Sequence, residues 1–295
     1  MLTVVGTLAF DTLARVKALA TPEHTGGVTR LQPDAPGGTA GNVAMALARL
    51  GSPPRVVSSV GPDFASSAYA AALAAAGVDL HALAVGSLPT SRAYVFFDEA
   101  GGQVTYFYGG ASSEFAPSPA TFRGARAHFC AGEISRYPAL MREAEWVSFD
   151  PGQEIFHRDF GDIEACFEHA DLLFANRHEM TILEERGWTL KRLLESGPGA
   201  VVETRGGEGT LVHTPNGRYA APAVGVRAVD PTGAGDAHRA GFLFALERGA
   251  ELGIAARFAN VLGSFAVEQV GAQAGHPTLA QALERHEKAY GERPF

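Results

Sequence analysis

Between Asp230 and Asp236 the chain reads Asp-Pro-Thr-Gly-Ala-Gly-Asp, and an apolar run, 242–246, follows after Ala237, His238, Arg239, Ala240 and Gly241. Gly233 and Gly235 flank Ala234, so the backbone can turn sharply and present successive N–H groups at the start of a helix. Such a turn is a cradle for an anion, and Asp236 stands inside it. A carboxylate beside a surface that favours negative ligands has two readings. It is a group that works on whatever meets the anion, or it is a helix cap in an ordinary first turn.

Other residues of the same kind are scattered along the chain. Asp11 follows an apolar run, 2–10, that reads as a buried strand. Ligands of parallel α/β sheets gather beyond the carboxyl ends of strands, so Asp11 is a candidate for holding substrate hydroxyls, with a turn-forming role as the alternative. Pro36, Gly37, Gly38, Thr39, Ala40, Gly41 and Asn42 open a helix whose apolar face is Val43, Ala46, Leu47 and Leu50 and whose stop is Gly51. The paired glycines allow a ligand to approach the backbone, and Asn42 can donate and accept. Close packing of helix on sheet would use the same small residues. Asn176 and Glu179 have the spacing of a capping box, or arrange phosphate and hydrated Mg²⁺. Thr204, Gly206, Gly207 and Gly209 form a turn that suits a passing nucleotide or merely a tight reversal. Asn260 interrupts an apolar helix as a satisfied core amide or a ligand contact. Tyr94, Phe96, Phe107 and Tyr108 can stack on a flat ring or on one another.

The elements that must position these residues follow an alternating rhythm. Strands are expected over 55–60, 127–130, 146–149, 172–175 and 200–203, with helices near 64–76, 139–145, 158–169, 252–270 and 278–290. That alternation indicates right-handed βαβ units and a mainly parallel sheet. Two hairpins interrupt it: 90–97 with 103–108, and 200–203 with 210–213. Residues 12–35 hold turn formers and short alternating pieces, with no long helix. No repeat, low-complexity tract or linker divides the 295 residues, so one α/β domain is the economical expectation.

A formal charge of −8 provides no broad basic field, which argues against nucleic acid as a partner. Cys130 and Cys166 cannot build a disulfide framework and read as core thiols in a reducing compartment. No apolar window is long enough to span a bilayer and no leader is evident, so no membrane partner and a cytoplasmic location are expected. The chain lacks a Walker A loop, G-x-G-x-x-G, H-E-x-x-H and G-x-S-x-G.

The two glycine segments, in their order and spacing, resemble the signatures of the ribokinase-like carbohydrate kinases, the PfkB family, over nearly the whole chain. Asn176 and Glu179 are similar to that family's N-x-x-E motif, and Thr204, Gly206 and Gly209 to its T-x-G-x-x-G. The resemblance implies a three-layer α/β/α domain over 1–295 with a small strand lid, segments of about 11–36 and 90–112. It implies ATP-dependent transfer of the γ-phosphoryl group to a small acceptor's hydroxyl, with Asp236 as base and Gly233, Ala234 and Gly235 as anion hole. Glu179 would arrange Mg²⁺ through water, with Asn176 near the phosphates. Thr204, Gly206, Gly207, Gly209 and Asn260 would line ATP, and Asp11, Gly37, Gly38 and Asn42 would hold the acceptor. A monovalent cation near Asp230, and the choice between monomer and homodimer, stay open.

Two departures qualify the resemblance. His238 replaces the usual aromatic residue and Arg239 follows it, to charge a phosphate site or to make a structural salt bridge. Asp150-Pro151-Gly152-Gln153, with the ending Ala289-Tyr290-Gly291-Glu292-Arg293-Pro294, resembles the bacterial and archaeal nucleoside kinases. Adenosine or inosine, phosphorylated at the 5′-hydroxyl, is therefore the first expectation. Ribose or fructose comes second. Arg15, Lys17, Arg30 and Arg92 keep a phosphosugar open. A non-catalytic nucleoside-binding protein on the same fold is the alternative of another class.

Overall fold

Short runs of Val, Leu, Phe and Ala form the central strands of the computed structural model, which describes residues 1–23, 25–157 and 160–295. The strands are β1 (Thr3–Val5), β2 (Ala9–Val16), β3 (Val28–Gly37), β4 (Arg55–Val57), β5 (Ser59–Val60), β6 (Ala84–Val85) and β7 (Ser91–Phe97). They continue as β8 (Gln103–Tyr108), β9 (Arg126–Phe129), β10 (Trp146–Phe149), β11 (Leu172–Asn176), β12 (Ala200–Thr204), β13 (Thr210–Thr214) and β14 (Gly217–Ala221). The α-helices are α1 (Thr39–Arg49), α2 (Ala68–Ala75), α3 (Tyr137–Met141), α4 (Glu154–His157) and α5 (Phe160–Phe167). After them come α6 (Arg177–Glu185), α7 (Leu190–Ser196), α8 (Ala234–Glu247), α9 (Leu252–Ala266) and α10 (Leu279–Tyr290).

Eight strands form one sheet in the order β14-β13-β12-β11-β10-β9-β1-β4. From β12 to β4 all pairs are parallel, and β13 and β14 add an antiparallel edge. Neighbouring residues on one strand enter opposite apolar layers. Val4, Phe174 and Val202 pack in the layer with α1, α8 and α9, whereas Val5, Leu173 and Val201 pack with α3 and α5. Burial on both faces is why these strands read as continuous apolar runs rather than alternating ones. The parallel strands end along one edge of the sheet, where α1, α6 and α8 begin.

A second sheet, β3-β2-β7-β8, carries its own small apolar cluster of Leu13, Ala35 and Val95. Its first strand corrects the expected run over 2–10. Gly6 breaks that run at φ 148°, β1 stays in the large sheet, and β2 leaves for the second one. Residues 12–35 contain most of β2 and β3, not short pieces. The expected strand over 55–60 also divides, at Ser58: β4 pairs with β1, and β5 pairs with β6, a strand the sequence reading lacks. Helix α2 starts later than expected, at the Ser67 cap, whose hydroxyl accepts the Ala70 N–H. The expected helix 139–145 runs over Tyr137–Met141 instead. Part of the expected 158–169 helix lies outside the described residues. Cys130 and Cys166 are free and buried. Among the described residues, no helix is long and apolar enough to cross a membrane.

Candidate active site

Gly233 starts α8 in the left-handed region, at φ 76°, where a Cβ would press on the backbone of Ala272. Only glycine takes both constraints without strain. Asp230 fixes the loop from the other side. Its carboxylate accepts the Thr232 N–H and the Gly271 N–H, each at 2.9 Å. The Ala234 N–H reaches the Pro231 carbonyl at 3.2 Å, so of the three expected anion-hole donors it alone has a backbone partner. The N–H groups of Gly233, Gly235 and Asp236 have none among the described residues and stand at the positive end of the helix.

Asp236 in the first turn of α8 is met by Asn42 in the first turn of α1, 194 residues away in the chain. The Asn42 amide donates to Asp236 Oδ2 at 2.8 Å. Burial raises the Asp236 carboxyl to about 6, and the nearby Asp150 adds to the rise while Arg239 and the Asn42 bond oppose it. Asp11 lies close enough to feel that charge: burial, then Asp236, push it to about 7. Its carboxylate rests against Gly37, where a Cβ would overlap it. Gly38 turns at φ 83° against the backbone of Thr7–Ala9 and starts α1. Asp11, Gly37, Gly38, Asn42 and Asp236 therefore meet in one place. A cavity of about 420 Å³ has Leu13, Arg15 and Arg30 of the second sheet on one side and the loop residues Asp230 and Pro231, before α8, and Val270, after α9, on the other; none of Asp11, Gly37, Gly38, Asn42 and Asp236 lines it.

Behind Asp236 is a second charged cluster. Arg239 bonds both oxygens of Asp150, one of them at 2.9 Å, and both side chains are buried. Of the two roles open for Arg239, the structure displays the ion pair. Its guanidinium also occupies the space a Cβ on Gly235 would need. Asn176 and Glu179 form a full capping box, with bonds of 2.9 and 2.7 Å. Glu179 is nevertheless pushed to about 7 by burial and by Asp150, with Arg239 opposing. Asp150, Glu179 and Asp236 thus crowd three carboxyl groups around one guanidinium.

Asn176 is in register with Thr204, and the turn beyond Thr204 carries Gly206 and Gly207, beside which a Cβ would meet open space. Gly209 differs, since a Cβ there would overlap the Ala221 carbonyl. Asn260 has the partners a core amide needs. It donates to the Ala221 and Pro222 carbonyls at 3.0 and 3.1 Å and accepts from the Thr210 hydroxyl at 2.7 Å. Because that hydroxyl's proton points to Asn260, His238 Nε2 must donate to Thr210 at 2.8 Å. Burial and Arg239 keep His238 neutral, lowered to about 3. Gln153 is exposed just before α4.

Register separates the aromatic residues. Asp11 pairs with Ala93 and Ala93 with Phe107, which puts Phe107 on the Asp11 face. Tyr94 and Phe96 lie on the opposite face, where Phe96 packs edge-on against Tyr106 at 6.4 Å. They are separated from the Asp11 side by the sheet itself. Gln273 and Tyr69, which the sequence reading omitted, both reach Asn42's surroundings.

An acid at a helix N-terminus, beside N–H groups with no backbone partner among the described residues and facing a second buried acid, suits a phosphotransferase on a three-layer α/β fold. The chain matches the model of the pfkB family carbohydrate kinases over residues 1–279, and it belongs to that family. It is a kinase that phosphorylates a hydroxyl group. A nucleoside kinase of Methanothermobacter thermautotrophicus is 36% identical, with 99% of this chain and 97% of that protein covered. An ATP-dependent ribose-1-phosphate kinase of Halopiger xanaduensis is 32% identical over 91% and 92%. Burkholderia thailandensis nucleoside kinase in complex with inosine superposes with a TM-score of 0.90 at 25% identity, covering 99% of each chain.

Proposed function

We propose that this kinase transfers the γ-phosphoryl group of ATP to the 5′-hydroxyl of a nucleoside such as inosine or adenosine. The observation that carries the reading is the meeting of Asp236, Asn42 and Asp11 at the N-terminus of α8. Asp11 accepts bonds from the ribose hydroxyls. The 5′-hydroxyl donates to Asp236, its oxygen bonds the γ-phosphorus, and the bond to the bridging oxygen of ADP breaks. Asp236 keeps the released proton. The N–H groups of Gly233 and Gly235 face the charge that develops on the transferring oxygens. ATP lies along Asn176, Thr204 and the open glycines 206 and 207. Nucleoside kinases among the relatives support the acceptor class.

Mg²⁺ would neutralise the β- and γ-phosphate oxygens from a water-mediated position on Glu179; among the described residues no three carboxyl, histidine or cysteine groups gather as a metal site, so the phosphates and water would supply most of its ligands. A monovalent cation beside Asp230 would brace the anion-hole loop. The second sheet would act as a lid, residues 11–36 and 90–112, within one ribokinase-like domain. Its outer face exposes Leu31, Tyr94, Tyr106 and Tyr108, which favours a homodimer over a monomer.

One observation favours a second acceptor. Arg15 and Arg30 are cross-strand partners and both line the cavity, as a phosphosugar would require. Arg92 is not part of that set, being paired with Asp34 at 2.6 Å. ADP release measured with inosine, adenosine, ribose, fructose and ribose 1-phosphate separates the readings. The proposal expects the highest kcat/KM for a nucleoside. Preference for ribose 1-phosphate would move the acceptor to the arginine pair, and no turnover with any of them would favour a binding protein.

A further inference from the structure

A chain of hydrogen bonds reaches the active site from Tyr69 on α2, within the apolar layer that also holds α1 and α8. Tyr69 donates to the Gly37 carbonyl at 2.9 Å. Gln273 Nε2 donates to the Tyr69 hydroxyl at 2.8 Å and to Asn42 Oδ1 at 3.0 Å. Asn42 Nδ2 then donates to Asp236 Oδ2 at 2.8 Å. The polarity of this chain has only one solution. A backbone carbonyl can only accept, so the single Tyr69 proton is committed to Gly37 and the hydroxyl must accept from Gln273. Burial raises the Tyr69 hydroxyl well above its usual range, so that proton stays. With its amide nitrogen thus oriented, Gln273 presents a donor to Asn42, which must answer with its carbonyl oxygen. The amide nitrogen of Asn42 is left facing Asp236.

We propose that Gln273, held by Tyr69, is a positioning residue that sets the orientation of the Asn42 amide and so holds Asp236 by one oxygen, leaving Oδ1 for the acceptor hydroxyl. Among the described residues, Oδ1 has no hydrogen bond. Turned over, the Asn42 amide would put oxygen against carboxylate and repel the base from its place. The packing fits this task. Tyr69 is buried, and its hydroxyl occupies the space a Cβ on Gly41 would need, so the glycine of α1 admits the ring. Gln273 comes from the loop that Asp230 ties to the anion hole through Gly271. The base and the anion hole thereby share one support.

The inference rests on the kinase reading above, so wild-type turnover is measured first and the best acceptor is used throughout. A double-mutant cycle then compares Gln273→Ala, Asn42→Ala and the pair. Gln273→Ala is expected to lower kcat about five- to tenfold with the KM for ATP unchanged. In the Asn42→Ala background the same substitution should change kcat less than about twofold. Equal losses in both backgrounds overturn the proposal, because a merely structural glutamine would act independently of Asn42. Should Gln273→Ala fold poorly, Gln273→Glu keeps the shape and removes the donors. Folded Gln273→Glu with wild-type kcat also overturns it. If the wild type phosphorylates nothing, the functional reading fails, and the network is read from the ¹³Cγ titration of Asp236. An upward shift in Gln273→Ala supports the network, and an unchanged midpoint refutes it.

Discussion

The charged groups around Asp236 are almost wholly buried, with Asp150 2%, Glu179 4% and Arg239 6% exposed, whereas the second sheet leaves Tyr106 66% and Phe107 52% in solvent. The difference separates two tasks. The large sheet presents an acid, a guanidinium and free N–H groups already fixed by bonds that need no ligand, which is the preorganisation electrostatic catalysis requires. The second sheet holds little apolar core of its own and leaves aromatic side chains such as Tyr106 and Phe107 largely in solvent. A sheet with so few buried contacts opens at low cost, as the proposed lid would have to.

That contrast can be broken by substitution. The largest effect is expected from Asp150→Ala, which takes from the buried Arg239 its hydrogen-bonded partner, leaving only the nearby charges of Glu179 and Asp236, and should cost about 3–5 kcal/mol of stability. Chemical denaturation measures it, and a loss below about 1 kcal/mol would show that the cluster is not a fixed scaffold. Next comes pH. Asp236 must be ionised to accept a proton, and burial holds its carboxyl at about 6, with Asp11 at about 7. kcat/KM should therefore rise between about pH 6 and 7 as a coupled limb and level off above it. A limb near pH 4 would mean that neither acid is buried in the working enzyme.

A smaller effect concerns stability. The Asp11 carboxyl keeps its proton to about pH 7 in the folded chain but loses it near 3.8 when unfolded. Folded stability from this group is full below pH 3.8 and declines as pH rises towards 7. Asp11→Asn should thus raise the melting temperature by about 2–4 °C at pH 8, with acceptor binding lost. A lowered Tm at pH 8 would make Asp11 structural. The smallest effects are expected in the second sheet. Phe107→Ala should weaken nucleoside binding about three- to tenfold more than ribose binding, and Tyr94→Ala, on the other face, should leave the ratio unchanged. Equal ratios for both would remove stacking on Phe107 from the account.

What the sequence disclosed follows from how local each feature is. The Gly233–Asp236 turn, the Asn176–Glu179 box and β10 are set by residues adjacent in the chain, and they were legible there. The departure of β2 into another sheet was not, because it depends on where Gly6 breaks a run that looks continuous. Asp150 was visible as a strand end, but its partner Arg239 stands 89 residues away. Gln273 had no local signal at all: a glutamine between glycines and alanines has no period, and its meaning arises only where the 271–276 loop meets α1. Asn260, a polar residue in an apolar helix, leaves a core amide and a ligand contact open in the sequence, and only the resemblance favours ATP. Its bonds to Thr210 and to the Ala221 and Pro222 carbonyls depend on residues about 40 to 50 positions away in the chain, which no local pattern discloses.

The central claim is that Asp236 takes the proton of the acceptor hydroxyl. Single-turnover phosphoryl transfer with Asp236→Asn, alongside acceptor binding by calorimetry, tests it most directly. The account predicts a rate lower by about two orders of magnitude or more with binding within a few-fold of wild type. A rate within about threefold of wild type would contradict it.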